Sequence, residues 1–479
     1  MRIVLIYLGA LFAVLVARAQ GYQPRIEPMP SPVRTAPELI TKSGYLVVPE
    51  NRRRPAGPVV RIPFVFVRKA EADSVKHIAL MTTGGPGYST IANFDSIGAG
   101  SELLRYGGFI IFSQRGVKGA IPCLDCPETT TAVRKAYREN LPKDSLELEA
   151  IKRCRKRLAA QGIDLSSYTT LESAADINDL RKALHLDSLM LIGMSYSGGL
   201  MLSVARHHPE AVSLLLLNSP LPGYVNYEEH ALLNMNEAFN QVFDNCETDS
   251  TSNPIYTGLR EKFHQYFTSI TGKMFSFRYS ENNSQDTFTI RYGKNELMDA
   301  LLDRMNGRSL KTVPFVMYQI INGQHAPYVK EVVDAAFAGN QRIALGMRYS
   351  VYCSEQIAFA SKQLIRKQNE LVPWLADFTF NDPDTTKCDC WNVKREPAGE
   401  KEPVYSNVPA LIFTGDADPW CRPFYNRLIK RYLPNSQLLL IHNQGHVPSL
   451  GGHGANFLDM FINNPCKKLV SATKDVMVE

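Results

Sequence analysis

Residues 188–220, SLMLIGMSYSGGLMLSVARHHPEAVSLLLLNSP, restrict the fold of this chain more than any other stretch. A short apolar run leads into a turn of small residues, a helical segment follows, and a second apolar run closes the unit. Runs this short and this apolar suit strands buried on both faces of a parallel sheet, and two of them joined by a helix form a crossover unit. The fold class expected is therefore α/β, with a mostly parallel, doubly wound sheet. HIALMTTGGPGYS (77–89), GGFIIFSQRG (107–116), VPALIFTGDADP (408–419) and SQLLLIHNQGH (436–446) read as further strands of that sheet. GYLVVPE and VVRIPFVFVR alternate as an early hairpin around NRRRPAGP. The cluster Arg52-Arg53-Arg54 between them is expected to be a solvated loop.

The strand pattern lapses between about Leu221 and Pro403. Amphipathic helical stretches such as EEHALLNMNEAFNQVFDNC and LREKFHQYFTSI replace it. This predicts a helical cap inserted over the carboxyl ends of the strands, where open α/β sheets bind ligands. The expected organisation is a core in two parts, 20–220 and 404–479, with the cap at 221–403.

GMSYSGG offers two serines with small residues two positions either side, as a strained strand-to-helix turn presenting a nucleophile requires. The strand LMLI runs straight into Gly193, which favours Ser195 over Ser197. A serine hydroxyl needs a histidine to take its proton and a carboxylate to orient that histidine. Asp416 and Asp418 follow one late strand, and His446 follows the next, in the order used by α/β hydrolases. Asp418, deeper in its loop and before a proline, is preferred to Asp416, which reads as a turn residue. His442 lies within a strand and His453 follows none, so His446 is the expected base. The glycine turn TTGGPG supplies backbone donors for a developing oxyanion, and the N–H after the nucleophile supplies another. It lacks the lysine of a phosphate-binding loop and the spacing of a dinucleotide site.

Taken together, GGPG, QRG, YTTLESAADINDLRKAL, GMSYSGG, HHPEAVSLLLLNSP, GDADP and the final GH resemble the secreted tripeptidyl aminopeptidases and their proline iminopeptidase relatives, over nearly the whole chain. The resemblance implies an α/β-hydrolase fold with an inserted helical cap. It also implies Ser195 as nucleophile, Asp418 as orienting acid, His446 as general base, and the N–H groups of Gly85 and Tyr196 as oxyanion hole. Arg115 becomes a structural residue near the site. Thr83, Ser113 and Ser197 stand where relatives often carry histidine, aspartate and glycine. An aminopeptidase must pair the substrate's ammonium with a carboxylate. Glu355 is the first candidate, followed by Glu228 and Glu229. No metal or organic cofactor is required. Peptides with a free N-terminus are the expected partners.

The first 19 residues have the basic start, apolar run and Ala17-Arg18-Ala19 ending of a secretory signal peptide, with cleavage expected after Ala19. Ile3 to Ala17 is short for a membrane span, so no lasting anchor is expected, and the product is secreted or periplasmic. Nine cysteines then point to disulfides whose pairing stays open. The formal charge of +6 is spread without a basic stripe, which disfavours nucleic acid. A carboxylesterase or lipase-like enzyme with the same triad, or a silent binding module on this fold, are the alternatives.

Overall fold

The computed structural model describes residues 22–70, 77–248, 256–282, 284, 286–381 and 383–479. The expected signal peptide lies outside them. Fourteen strands occur among the described residues. Ten form one sheet in the order β1-β3-β4-β7-β5-β8-β9-β12-β13-β14. Its centre is the parallel run β7 (Gly107–Phe112), β5 (His77–Thr82), β8 (Leu189–Met194), β9 (Val212–Asn218), β12 (Ala410–Gly415) and β13 (Ser436–Ile441). Every residue of β7 and of β12 is buried, as strands covered by helices on both faces must be. The antiparallel hairpin β3 (Leu39–Pro49) and β4 (Val59–Lys69) extends one edge beside β1 (Arg25–Pro28). The short β14 (Val476–Val478) closes the other edge. A parallel pair, β2 (Arg34–Thr35) and β6 (Ser96–Ile97), lies apart.

Chain order reverses between β5 and β8: β7 lies on one side of β5, and β8 and β9 continue on the other. The loops leaving β5 and β8 therefore diverge at a topological switch point, where such sheets open a crevice. The glycine turn and Ser195 sit on those two loops.

Between β9 and β12 no described residue joins the main sheet. This insertion is mostly helical, with a separate aromatic-rich core around Phe239, Phe263, Phe267 and Trp374. It also holds an antiparallel hairpin, β10 (Phe275–Ser280) with β11 (Thr287–Tyr292), which helical periodicity did not foretell. Two helices ahead of the elbow, Pro127–Glu139 and Lys143–Ala160, were equally unforeseen. Tyr137 of the first joins the insertion's core. Disulfides Cys126–Cys154 and Cys353–Cys388 tie these helices together and fasten the end of the insertion. No helix among the described residues is long and apolar enough to cross a membrane.

Arg52 departs from the solvated loop expected of it. Its guanidinium bonds Asp176 and Asp179 at 2.6 Å each, and also Glu172 and the Tyr22 hydroxyl. Arg115, fully buried, grips Asp176 with two parallel bonds of 2.7 Å and donates to the carbonyls of Glu50 and Ser167. Burial alone would push the Asp176 carboxyl up; the two guanidinium groups hold it below its ordinary range. Arg53 and Arg54 remain exposed.

Candidate active site

Ser195 stands between β8 and the helix Tyr196–His207 at φ +55° and ψ −128°. A non-glycine residue there costs of order 1–3 kcal/mol and persists only where its surroundings enforce it. They do so through the end of β9. Ser195 N–H donates to Asn218 O at 3.0 Å, and Ser195 O accepts from Leu221 N–H at 3.0 Å. Close packing completes the turn. A Cβ on Gly193 would lie 2.5 Å from Ser197 O, one on Gly198 2.5 Å from the Pro220 Cβ, and one on Gly199 2.4 Å from Leu221 O. Ser197 occupies a different niche. Fully buried, its hydroxyl donates to Thr82 O at 2.7 Å and accepts from Met194 N–H at 2.8 Å, pinning β8 to β5. Ser195 lines the cavity under the cap, and Ser197 does not.

The glycine turn after β5 lies against the elbow. A Cβ on Gly84 would fall 2.9 Å from the Ser195 Cβ and 3.2 Å from Tyr196 N, so only glycine permits the approach. Tyr196 N–H is the first of its helix and has no acceptor within it. Gln114 fixes the turn by donating to Thr83 O at 2.8 Å, and Thr90 accepts from Thr83 N–H at 2.9 Å. From the cap, Arg348 donates to Gly85 O at 2.7 Å and stacks over Tyr352 at 4.7 Å.

Opposite them, His446 Nδ1 lies 2.8 Å from Asp418 Oδ2. The second oxygen of Asp418 accepts the N–H groups of Trp420 at 2.9 Å and Cys421 at 2.8 Å. Burial would raise this fully enclosed carboxyl, but His446 and the Cys421 N–H hold it low, so it is an ionised partner for the imidazole. Asp416 pairs instead with His442 at 2.8 Å, outside the cavity lining. The rival acid and the rival histidine thus serve each other. Cys421 lies beside Asp418 and His446, but burial raises its thiol well above the usual range, and both Asp418 oxygens are already taken. Such a group is poorly suited to hold a metal ion.

A cavity of about 540 Å³ joins Ser195, Tyr196, Gly85 and His446 under the cap. The three glutamates named from the sequence are not among its lining residues. Glu355 accepts Thr170 N–H at 2.7 Å and the Thr170 hydroxyl at 2.6 Å, at the start of the helix Thr170–Ala183. It faces a void of about 20 Å³ behind Tyr196 and Tyr352. Glu228 accepts from Asn381 at 2.6 Å, and Glu229 from Ser361 N–H at 2.6 Å. Sequence reasoning missed Gln114, Arg348 and Trp420, whose ring lies 5.1 Å from His446. Arg348 and Tyr352 stand four residues apart in GMRYSVY, a helical spacing that marks them as facing one way.

A parallel sheet with an elbow at its switch point and a buried Asp–His pair on the next two strand ends defines an α/β hydrolase. Its carboxy-terminal region is similar to a TAP-like protein: the pattern of that family matches residues 378–459, which include Asp418 and His446. No curated protein matches the chain. Among solved structures it is similar to a thermophilic esterase from Thermogutta terrifontis, at 13% identity over 84% of this chain and 91% of that one, with a TM-score of 0.32. It is also similar to an epoxide hydrolase from Bacillus megaterium, at 14% identity over 81% and 91%, with a TM-score of 0.31. Likenesses this distant bear no argument about the chemistry.

Proposed function

We propose that the chain is an exported serine aminopeptidase that releases short N-terminal units from peptides through an acyl-enzyme. The observation that carries this reading is the 2.8 Å Asp418–His446 contact sharing one cavity with the strained Ser195. In the first step Ser195 Oγ bonds to the substrate carbonyl carbon as its proton passes to His446. Asp418 holds the ring and stabilises the imidazolium. Negative charge growing on the carbonyl oxygen meets the N–H groups of Gly85 and Tyr196. The carbon–nitrogen bond then breaks, His446 returns the proton to the leaving amine, and water repeats the cycle on the ester.

The peptidase reading draws on the TAP-like match, and export draws on the two disulfides and the leader motif. An esterase would use the same groups. Peptide anilides with free and with blocked N-termini, assayed beside simple esters, separate the two. Faster cleavage of free-amine anilides is expected, and cleavage of esters alone would overturn the peptidase assignment.

A further inference from the structure

The glycine turn after β5 is held from two sides. On the core side Gln114 and Thr90 fix Thr83. On the other side the turn runs against the cap segment 340–348. Ala344 N–H donates to Gly87 O at 2.9 Å, Ser89 N–H donates to Arg342 O at 3.2 Å, and the Asn340 side-chain amide donates to the Tyr88 hydroxyl at 2.9 Å. A Cβ on Gly87 would lie 2.9 Å from Ala344 O, so core and cap backbones touch there.

Gly85 is the residue of this turn that most needs such support. Its φ is +119°, a region that glycine alone enters readily, and Pro86 after it has no N–H to tie the turn. Gly85 N–H has no acceptor among the described residues, as a donor kept for a developing oxyanion must. Gly85 O accepts from Arg348 Nη1 at 2.7 Å, and no other group among the described residues donates to it. The guanidinium is held at further points. Its Nη2 donates to Asn381 Oδ1 at 3.3 Å, Asn381 donates to Glu228 at 2.6 Å, and the Tyr352 ring lies 4.7 Å from the guanidinium carbon. A planar fork engaged on both arms is fixed in direction.

We propose that Arg348 is a positioning residue through which the cap sets the oxyanion hole: its bond to Gly85 O holds the turn at the angle that aims Gly85 N–H at the substrate's carbonyl oxygen. This role rests on the acyl-enzyme reading with Ser195 as nucleophile, and it is the same for a peptide or an ester. Two N–H groups stabilise the oxyanion fully only while both point at it. Tyr196 N–H is set by the elbow, within the core. Gly85 has no side chain to restrain it, so its angle depends on what grips its carbonyl. The core therefore fixes one donor and the cap the other, and the cap takes part in the chemistry as well as covering the cavity.

The test measures kcat and KM of Arg348→Met and Arg348→Lys on whichever substrate the wild type cleaves faster, a peptide anilide or a p-nitrophenyl ester, with Ser195→Ala as control. Arg348→Met keeps the packing of the stem and removes every donor. Its kcat should fall roughly 10- to 100-fold with KM within about threefold of the wild type, because a misaimed oxyanion donor is missed in the transition state alone. Arg348→Lys restores one donor and should recover part of the loss. A trifluoromethyl ketone carrying the same acyl group forms a tetrahedral adduct with Ser195, and Arg348→Met should bind it more weakly by the factor that kcat/KM falls. A lowered kcat beside unchanged affinity for the ketone marks a loss of folded enzyme and overturns the role. An unchanged kcat overturns it too, and so does a rise in KM alone, which would make Arg348 a substrate contact; both leave the acyl-enzyme reading standing. A wild-type rate in Ser195→Ala overturns that reading and this role with it.

Discussion

Ser195 keeps its positive φ because its N–H and carbonyl are both engaged with the β9 end, so its side chain can be changed without releasing the turn. Ser195→Ala should lower kcat by about a millionfold if the three groups act as a unit, with thermal unfolding almost unchanged. A loss below about a hundredfold would contradict its role as nucleophile. Ser197→Ala should do the reverse. It strips the buried Thr82 O and Met194 N–H of their partner, costing roughly 1–3 kcal/mol in denaturant unfolding, while a fluorophosphonate should still label Ser195. Labelling of the wild type at Ser197 would overturn that division. The arrangement around both serines was legible in the sequence, because strand, turn and helix adjoin there. The Asp418–His446 pair was legible too, since each follows its own apolar run and order restricts the choice.

The helix Thr170–Ala183 shows where legibility ends. Its amphipathic spacing and its basic last turn could be read directly. Nothing local announced that Glu355, far along the chain, accepts its first N–H. In the sequence Glu355 is one acid in a cap motif, and its partners lie at long range. Glu396 completes this cluster, close to Lys401 and Glu400. Burial, reinforced by the Glu355 charge, pushes the Glu396 carboxyl well above its ordinary range, which favours a proton shared with Glu355. A carboxyl raised by folding contributes stability that is fully present below its unfolded value of about 4.3 and is lost as pH rises through the folded one. Glu396→Gln replaces that proton with an amide donor. Its Tm should therefore decline less than that of the wild type as pH rises above the ordinary carboxyl range. Parallel Tm profiles would refute the shared proton.

At the scale of the whole molecule, two fastenings lie outside the chemistry. Asp176 joins two guanidinium groups, one fully buried. Asp176→Ala would take the two-point partner from the fully buried Arg115, while Arg52 keeps Asp179 and Glu172, and a loss of about 3–5 kcal/mol is expected in denaturant unfolding. The Cys353–Cys388 bridge closes a loop with a sequence separation of 35. Replacing both cysteines by alanine should cost about 2–4 kcal/mol. The backbone of Met305–Gly307, where His446 N–H donates to Met305 O at 2.8 Å and Gly307 N–H donates to His446 O at 2.8 Å, has a different kind of consequence. Insertions and deletions that diversify such caps can accumulate in the outer helices and the hairpin, but this stretch must keep its length and path or the histidine shifts. A cap transplanted between related hydrolases should therefore yield a working enzyme only when the cassette carries the seam with it.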